Sequence, residues 1–344
     1  MFTSLQLILV TIVSFVLADS LTAQSLAAKF SLTTSTTLPF PKATQSSSDA
    51  QAVLAADWSL SKGRLQNGGD DISFVTDPFP NSPAPGATTD SSGPVLQVTY
   101  PAGSFSGDTG GAQFVNLWNT TQTGGFQSML LSYEVAFDAG FDWVKGGKLP
   151  GLRGGANPTG CSGGNQSTGL DCFSTRIMWR TNGAGEVYSY IPSPNNLCSE
   201  KDVTCNSDFG ISLSRGSFTF ASGQWNRVTL LVQLNNPVDV ANGNIEVYFN
   251  DVQALAHQNL QIRASSSVTA GGLFFSTFFG GSDSSWATPR TTHTYYRNFQ
   301  LWGANTPSTL TGAKVASSAK LWSPDLAISV LIALFIAGIG LAGL

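Results

Sequence analysis

The stretch Phe173–Pro192 holds the densest set of side chains able to bind charge or move protons. Read as strands, Ser174–Arg180 alternates. Ser174, Arg176, Met178 and Arg180 point one way, and Thr175, Ile177 and Trp179 the other. Glu186–Tyr190 alternates too, with Glu186, Tyr188 and Tyr190 opposite Val187 and Ser189. Thr181–Gly185 reads as the turn between them. Pairing Arg180 with Glu186 across that turn sets Met178 opposite Tyr188 and Arg176 opposite Tyr190. Directly opposed side chains lie about 5 Å apart at Cβ. One sheet face then collects a serine, two arginines, a glutamate and two tyrosines, while Ile177 and Trp179 face the core. Such a set suits proton removal beside a carboxylate. An arginine or lysine neutralises the anion and the developing enolate, and a tyrosine serves as base or acid if nearby cations lower its pKa. The same residues would also serve plain cross-strand packing, with Arg180 and Glu186 an ion pair near a turn. A second stretch, Phe141–Leu152, follows a strand ending near Asp138. Its glycines and proline read as a rigid loop that carries Lys148 among apolar neighbours, and alone it would hold an ordinary solvated lysine.

The elements that must position these groups read as β almost throughout. Val95–Tyr100, Met129–Phe137, Arg227–Leu234, Asn244–Phe249 and Gly272–Phe279 are rich in β-branched and aromatic residues and bounded by turn formers. Asn250-Asp251 resembles a hairpin turn. No helical period is sustained. Many strands without alternating helices predict an all-β fold: two packed antiparallel sheets in a β-jelly roll sandwich, with a concave sheet as the substrate cleft. Charged residues make up 11% of the 344, against the usual 25% or so, which argues against helix bundles. A net charge of -4 gives no reason to expect nucleic acid. Two histidines exclude a His-rich metal site.

The two ends read as targeting segments. Residues 1–23 form a signal peptide, with the apolar run Leu5–Leu17 and cleavage candidates at Ala18 and Ala23. Residues 24–51 read as a mobile or loosely docked Ser/Thr-rich arm. The folded domain is expected over 52–303 as one unit without repeats. Residues 304–325 follow as a Ser/Thr-rich stalk and spacer, with small residues at Ala316–Ala319. The uncharged tail 326–344 completes the pattern of a glycolipid-anchor signal, its rival being a single membrane span. The expected location is the outer cell surface. Cys161, Cys172, Cys198 and Cys205 then form two disulfides. Three pairings are open, and neighbour pairing closes two short loops. Zinc ligation lacks any Cys-x-x-Cys spacing. Asn119 and Asn165 head glycosylation acceptors.

Several motifs, in this order, resemble polysaccharide lyase family 14. They are GGKLPG (Gly146–Gly151), CSGG (Cys161–Gly164), STRIMWR (Ser174–Arg180), GEVYSYIP (Gly185–Pro192) and FSTFFGG (Phe275–Gly281), then Trp286 and YRNF (Tyr296–Phe299). The resemblance covers about Trp58–Trp302. It implies a jelly roll and β-elimination of an acidic uronate polysaccharide such as alginate or glucuronan, with no metal or other cofactor. It places the family's active-site lysine on Lys148, its Ser-x-Arg pair on Ser174 and Arg176, and its two tyrosines on Tyr188 and Tyr190. Arg180 and Glu186 join Ser174 as substrate-binding candidates. The loop Gly154–Asp171 departs from the family pattern, which leaves substrate preference open. Two rivals remain. A retaining glycoside hydrolase needs two carboxyl groups about 5 Å apart, and no strand face carries such a pair. A non-catalytic carbohydrate-binding surface protein would keep the cleft alone. A variant mechanism makes Glu186 the base and leaves the tyrosines to stack on sugars. The protein is expected to be monomeric.

Overall fold

The computed structural model describes residues 21–86, 93–118, 125–164, 166–206 and 209–315. Asn119, Asn165, nearly all of the expected signal peptide and the expected anchor tail lie outside these residues.

In chain order the protein forms helix α1 (Ala23–Lys29), strand β1 (Thr34–Thr37), helix α2 (Ser47–Asp57), β2 (Ile72–Val75), β3 (Val95–Tyr100) and β4 (Ala112–Val115). Next come β5 (Ser128–Phe137), β6 (Gly146–Gly154), β7 (Phe173–Arg180), β8 (Ala184–Tyr190), β9 (Val203–Thr204), β10 (Ile211–Thr219) and β11 (Trp225–Gln233). The chain ends with β12 (Val240–Ala241), β13 (Gly243–Phe249), β14 (Val252–Leu260), β15 (Ala270–Phe279), β16 (Thr292–Ala304) and β17 (Ala313–Lys314). One large sheet runs β14-β13-β11-β5-β16-β3-β2, with β1 added beside β16, and the other runs β4-β15-β6-β7-β8-β10-β9. Every pairing is antiparallel. The architecture is the expected jelly-roll sandwich.

Strand parity builds the core. Leu131, Tyr133, Val135 and Phe137 of β5 face Leu149, Ile177, Trp179, Val187 and Phe275 of the second sheet, all buried in one cluster. Tyr133 ties the layers by donating its hydroxyl to the Pro150 carbonyl at 3.0 Å. Asn250 and Asp251 both take left-handed φ, and Phe249 pairs with Val252, so the expected two-residue hairpin is present.

Three expectations need correction. Phe141–Leu152 is not all loop, because Gly146–Gly154 is an inner strand, β6, between β15 and β7. Its glycines allow close approach: a Cβ on Gly147 would strike the Trp179 ring, and one on Gly151 the Thr175 carbonyl. Pro150 sits at a register shift, where its missing N–H is tolerated. Second, the arm at 24–51 is folded. Leu26 and Ala27 of α1 pack on Leu130, Leu231 and Trp302, β1 pairs with β16, and Leu38 and Ala50 enter the main core. Third, the segment from 304 onward stays attached as far as β17, which pairs with β12.

Candidate functional site

The outer face of the seven-stranded sheet carries the side chains left over from the core. On β7 these are Arg176, Met178 and Arg180, and on β8 Glu186, Tyr188 and Tyr190, as strand parity requires. The register differs from expectation by two residues. Arg176 pairs with Tyr188, Ser174 with Tyr190, and Met178 with Glu186. The hairpin turns over Thr181–Gly183 instead of Thr181–Gly185. Asn182 and Gly183 adopt φ of 61° and 76°, and the Ala184 N–H closes the turn on the Thr181 carbonyl. A slip of two keeps every side chain on its face, so the set survives while its neighbours change.

Part of this face lines a cleft of about 570 Å³. Lys148, Arg176, Arg180, Tyr188 and Tyr190 all reach it, with Phe278 and Trp286 on one side and Phe209 and Arg215 on the other. A cross-strand row supplies its floor: Gln113 pairs with Ser276, Arg176 with Tyr188, and Tyr188 with Ser212. Arg176 is 1% exposed. Its Nη1 donates to Ser276 Oγ at 3.0 Å, and its guanidinium lies 4.6 Å from the Phe274 ring centroid and 5.6 Å from that of Tyr190. Its Nε and Nη2 have no partner among the described residues. Burial lowers its pKa to about 10, opposed by Tyr190 and Tyr188, so it stays charged near neutrality. A buried cation with idle donors is costly unless an anion completes it.

Lys148 is half-buried, with Nζ 4.8 Å from the Tyr188 ring centroid and 5.2 Å from that of Phe278. Burial, then Arg176 and Arg180, hold its pKa well below the usual lysine range, with Glu186 opposing. The Tyr188 phenol moves opposite to expectation. Burial and then Tyr190 push it up to about 12, against the Gly210 N–H, Arg180 and Arg176. The cations beside it are too few to offset desolvation. Each phenol oxygen accepts a backbone N–H, Tyr188 from Gly210 at 2.9 Å and Tyr190 from Gly164 at 3.3 Å. Each O–H proton is thereby left to point elsewhere.

Ser174 and Glu186 do other work. Ser174 is buried and donates to the Cys161 carbonyl at 2.6 Å, fixing the loop closed by the Cys161–Cys172 disulfide. Cys198–Cys205 closes the second expected loop. Glu186 is fully buried and does not line the cleft. Its Oε1 accepts from Arg180 Nε at 2.8 Å, and its Oε2 from Ser212 at 2.7 Å and Arg215 at 2.7 Å. With both oxygens engaged it is not placed as a base. Asp108 is the one carboxylate lining the cleft among the described residues, so a two-carboxylate glycosidase lacks its pair. The one potential metal-ligand cluster among those residues is Cys161, Asp171 and Cys172, whose sulfurs are bonded to each other.

Sequence reasoning missed Arg215, Ser276 and Gln113. Ser276 lay within the FSTFFGG motif without a role. Arg215 lay in a strand with a wide bulge, which hides alternation.

Among curated proteins none matches the chain. The family model described as polysaccharide lyase 14 matches residues 88–299. The crystal structure of the marine PL-14 alginate lyase from Aplysia kurodai is 33% identical, covers 77% of this chain and 100% of its own, and superposes with a TM-score of 0.62. Alginate lyase Aly36B (19% identity, 81% of this chain and 98% of its own, TM-score 0.56) shares the fold. So does the alginate lyase vAL-1 from Chlorella virus (23%, 69% and 95%, 0.52). A match across well over half of the chain, joined to a relative one-third identical along its whole length, shows that this chain belongs to polysaccharide lyase family 14 and is a polysaccharide lyase.

Proposed function

We propose that the enzyme cleaves a uronate polysaccharide of the alginate or glucuronan type by metal-independent β-elimination. The observation that carries this reading is Arg176. A buried guanidinium with two unpartnered donors, beside a lysine and two phenols, fits a sugar carboxylate. Arg176, with help from the Tyr190 hydroxyl, neutralises that carboxylate and the enolate that develops on it. Lys148, favoured in its neutral form by burial and by two arginines, takes the proton from C5. The C–H electron pair becomes the C4=C5 double bond as the C4–O bond breaks. Tyr188, whose raised pKa keeps it protonated, gives its proton to the leaving oxygen. The proton on Lys148 then returns to Tyr188 and both groups are restored.

Support for an acidic polymer comes from the Aplysia kurodai relative, itself an alginate lyase. The test is incubation with alginate, glucuronan and neutral glucans, reading the ultraviolet absorbance of the conjugated double bond. Absorbance with a polyuronate alone is expected. New reducing ends without absorbance would mean hydrolysis and overturn the reading.

We further propose that the protein is secreted, glycosylated at Asn119 and Asn165, monomeric and held on the cell surface by a glycolipid. The paired cysteines fit an oxidising compartment. The small residues Ala316–Ala319 begin just past Val315, which still bonds to Asp239. Release from cells by a phospholipase that cuts such anchors is the expected result, and a surface protein retaining residues 326–344 would contradict it.

A further inference from the structure

Glu186 divides its carboxylate between two guanidinia, and the local geometry is unusual. On β10, four residues (Ser214–Ser217) lie opposite the single residue Glu186, between the pairs Leu213–Val187 and Phe218–Gly185. Ser214 and Gly216 take left-handed φ of 50° and 83° inside this bulge. Bulges re-aim side chains, and this one brings Arg215 back over the sheet, with Nε 2.7 Å from Glu186 Oε2. From the other side Arg180 Nη2 lies 2.5 Å from Oε1. One negative charge thus holds two positive ones, which leaves a net positive end to the cleft. Arg180 is 14% exposed and Arg215 47%, and both line the cleft. The terminal nitrogens of Arg215 are not engaged by Glu186, which takes Nε. Arg180 stands four residues from Arg176 on β7, a backbone span of about 13 Å at the usual strand rise. A carboxylate bound there belongs to a different sugar from the one at Arg176.

We infer that Arg180 and Arg215, fanned by Glu186, form a second carboxylate subsite that makes the enzyme select polymers charged on neighbouring sugars. Arg215 is the specificity-determining residue of this subsite and Glu186 its positioning residue. The inference rests on the uronate-lyase reading above. Its test uses a polyuronate and the same polymer with part of its carboxyl groups reduced to primary alcohols. The wild-type enzyme should favour the fully charged polymer in kcat/KM. Arg215→Gln should raise KM for that polymer about five- to tenfold, with kcat affected less, and should shrink the preference between the two polymers. Arg215→Lys should recover part of the preference, and unchanged thermal unfolding confirms that the variants fold. Equal losses on both polymers, or an unchanged KM, would overturn the subsite. Absence of unsaturated product from the wild-type enzyme on every polyuronate would instead remove the underlying lyase reading.

Discussion

At the scale of single residues, burial decides more than charge. Tyr188 and Lys148 sit side by side, and desolvation moves both toward their neutral forms. In the mechanism proposed above, such a pair would supply the base and the acid with no tyrosinate required. Tyr188→Phe keeps the ring and its contact with Lys148 while removing the donor. It should lower kcat about 10²–10⁴-fold with the fold intact, read as initial rates of double-bond formation. A near-normal kcat would reject Tyr188 as the acid. The pH profile follows from the sign of the Lys148 shift. A base must be deprotonated, so kcat/KM rises with pH through a lysine pKa held well below 10.5. The rising limb should therefore lie below the usual lysine range and vanish in Lys148→Ala; a limb at the ordinary lysine value would contradict the assignment. Alternation in the sequence was enough to place Arg176, Tyr188 and Tyr190 on one face. It could not separate Ser174 and Glu186 from them. Parity gives direction only, whereas their partners, the Cys161 carbonyl and Arg215, arrive from segments distant in sequence or hidden in a bulge.

At the scale of elements, the cleft depends on loops that bring backbone amides to the tyrosines. Gly164 lies just beyond Cys161 and reaches Tyr190, and Gly210 lies just beyond Cys205 and reaches Tyr188. Cys161, Cys172, Met178, Tyr188 and Tyr190 also form one small apolar cluster under the cleft. Ser174 secures the first loop from below. Ser174→Ala leaves the buried Cys161 carbonyl without that donor and should cost about 1–3 kcal/mol, seen as a lower urea midpoint at unchanged slope. A raised KM with no loss of stability would instead mean that Ser174 binds substrate. The double variant Cys161→Ala/Cys172→Ala should cost about 3 kcal/mol for a loop of this length. It should lower kcat as well, because the Gly164 amide is no longer held against Tyr190. Most strands were legible because their β-branched runs end at turn formers. Strand β6 was not, since Gly146, Gly147, Gly151 and Pro150 are strand breakers by propensity. Here close packing against Trp179 and Thr175 overrides propensity.

At the scale of the whole molecule, the two faces of the sandwich have different tasks. The seven-stranded sheet exposes its outer side as the cleft, while the eight-stranded sheet has much of its own covered. Helix α1 covers Leu130, Leu231, Tyr248 and Trp302, and Phe79 and Ala84 cover Val95, Ala136, Trp225 and Tyr295. Between these patches Glu134 joins Arg227 and Arg297, which reach Asp251 and Asp77. The amino-terminal arm was illegible in the sequence because α1 has seven residues and much of its buried face is alanine. Helices this short are held by tertiary packing and leave little periodic signal. The docked arm also bears on processing. Leu21 donates its N–H to Asp251, and Ala23 is buried. If residues ahead of the arm are a signal peptide, cleavage after Ala18 keeps these contacts and cleavage after Ala23 removes them. The mature amino terminus, read by mass spectrometry, is expected at Asp19. Leu26 is fully buried in this interface. Leu26→Ala should destabilise by about 2–5 kcal/mol, measured by urea unfolding. It should leave kcat near normal for the folded fraction, since α1 packs on the sheet that does not carry the cleft. A stability loss well under 1 kcal/mol would mean that the arm is not docked in solution, and a selective loss of kcat would mean that the two sheets are coupled.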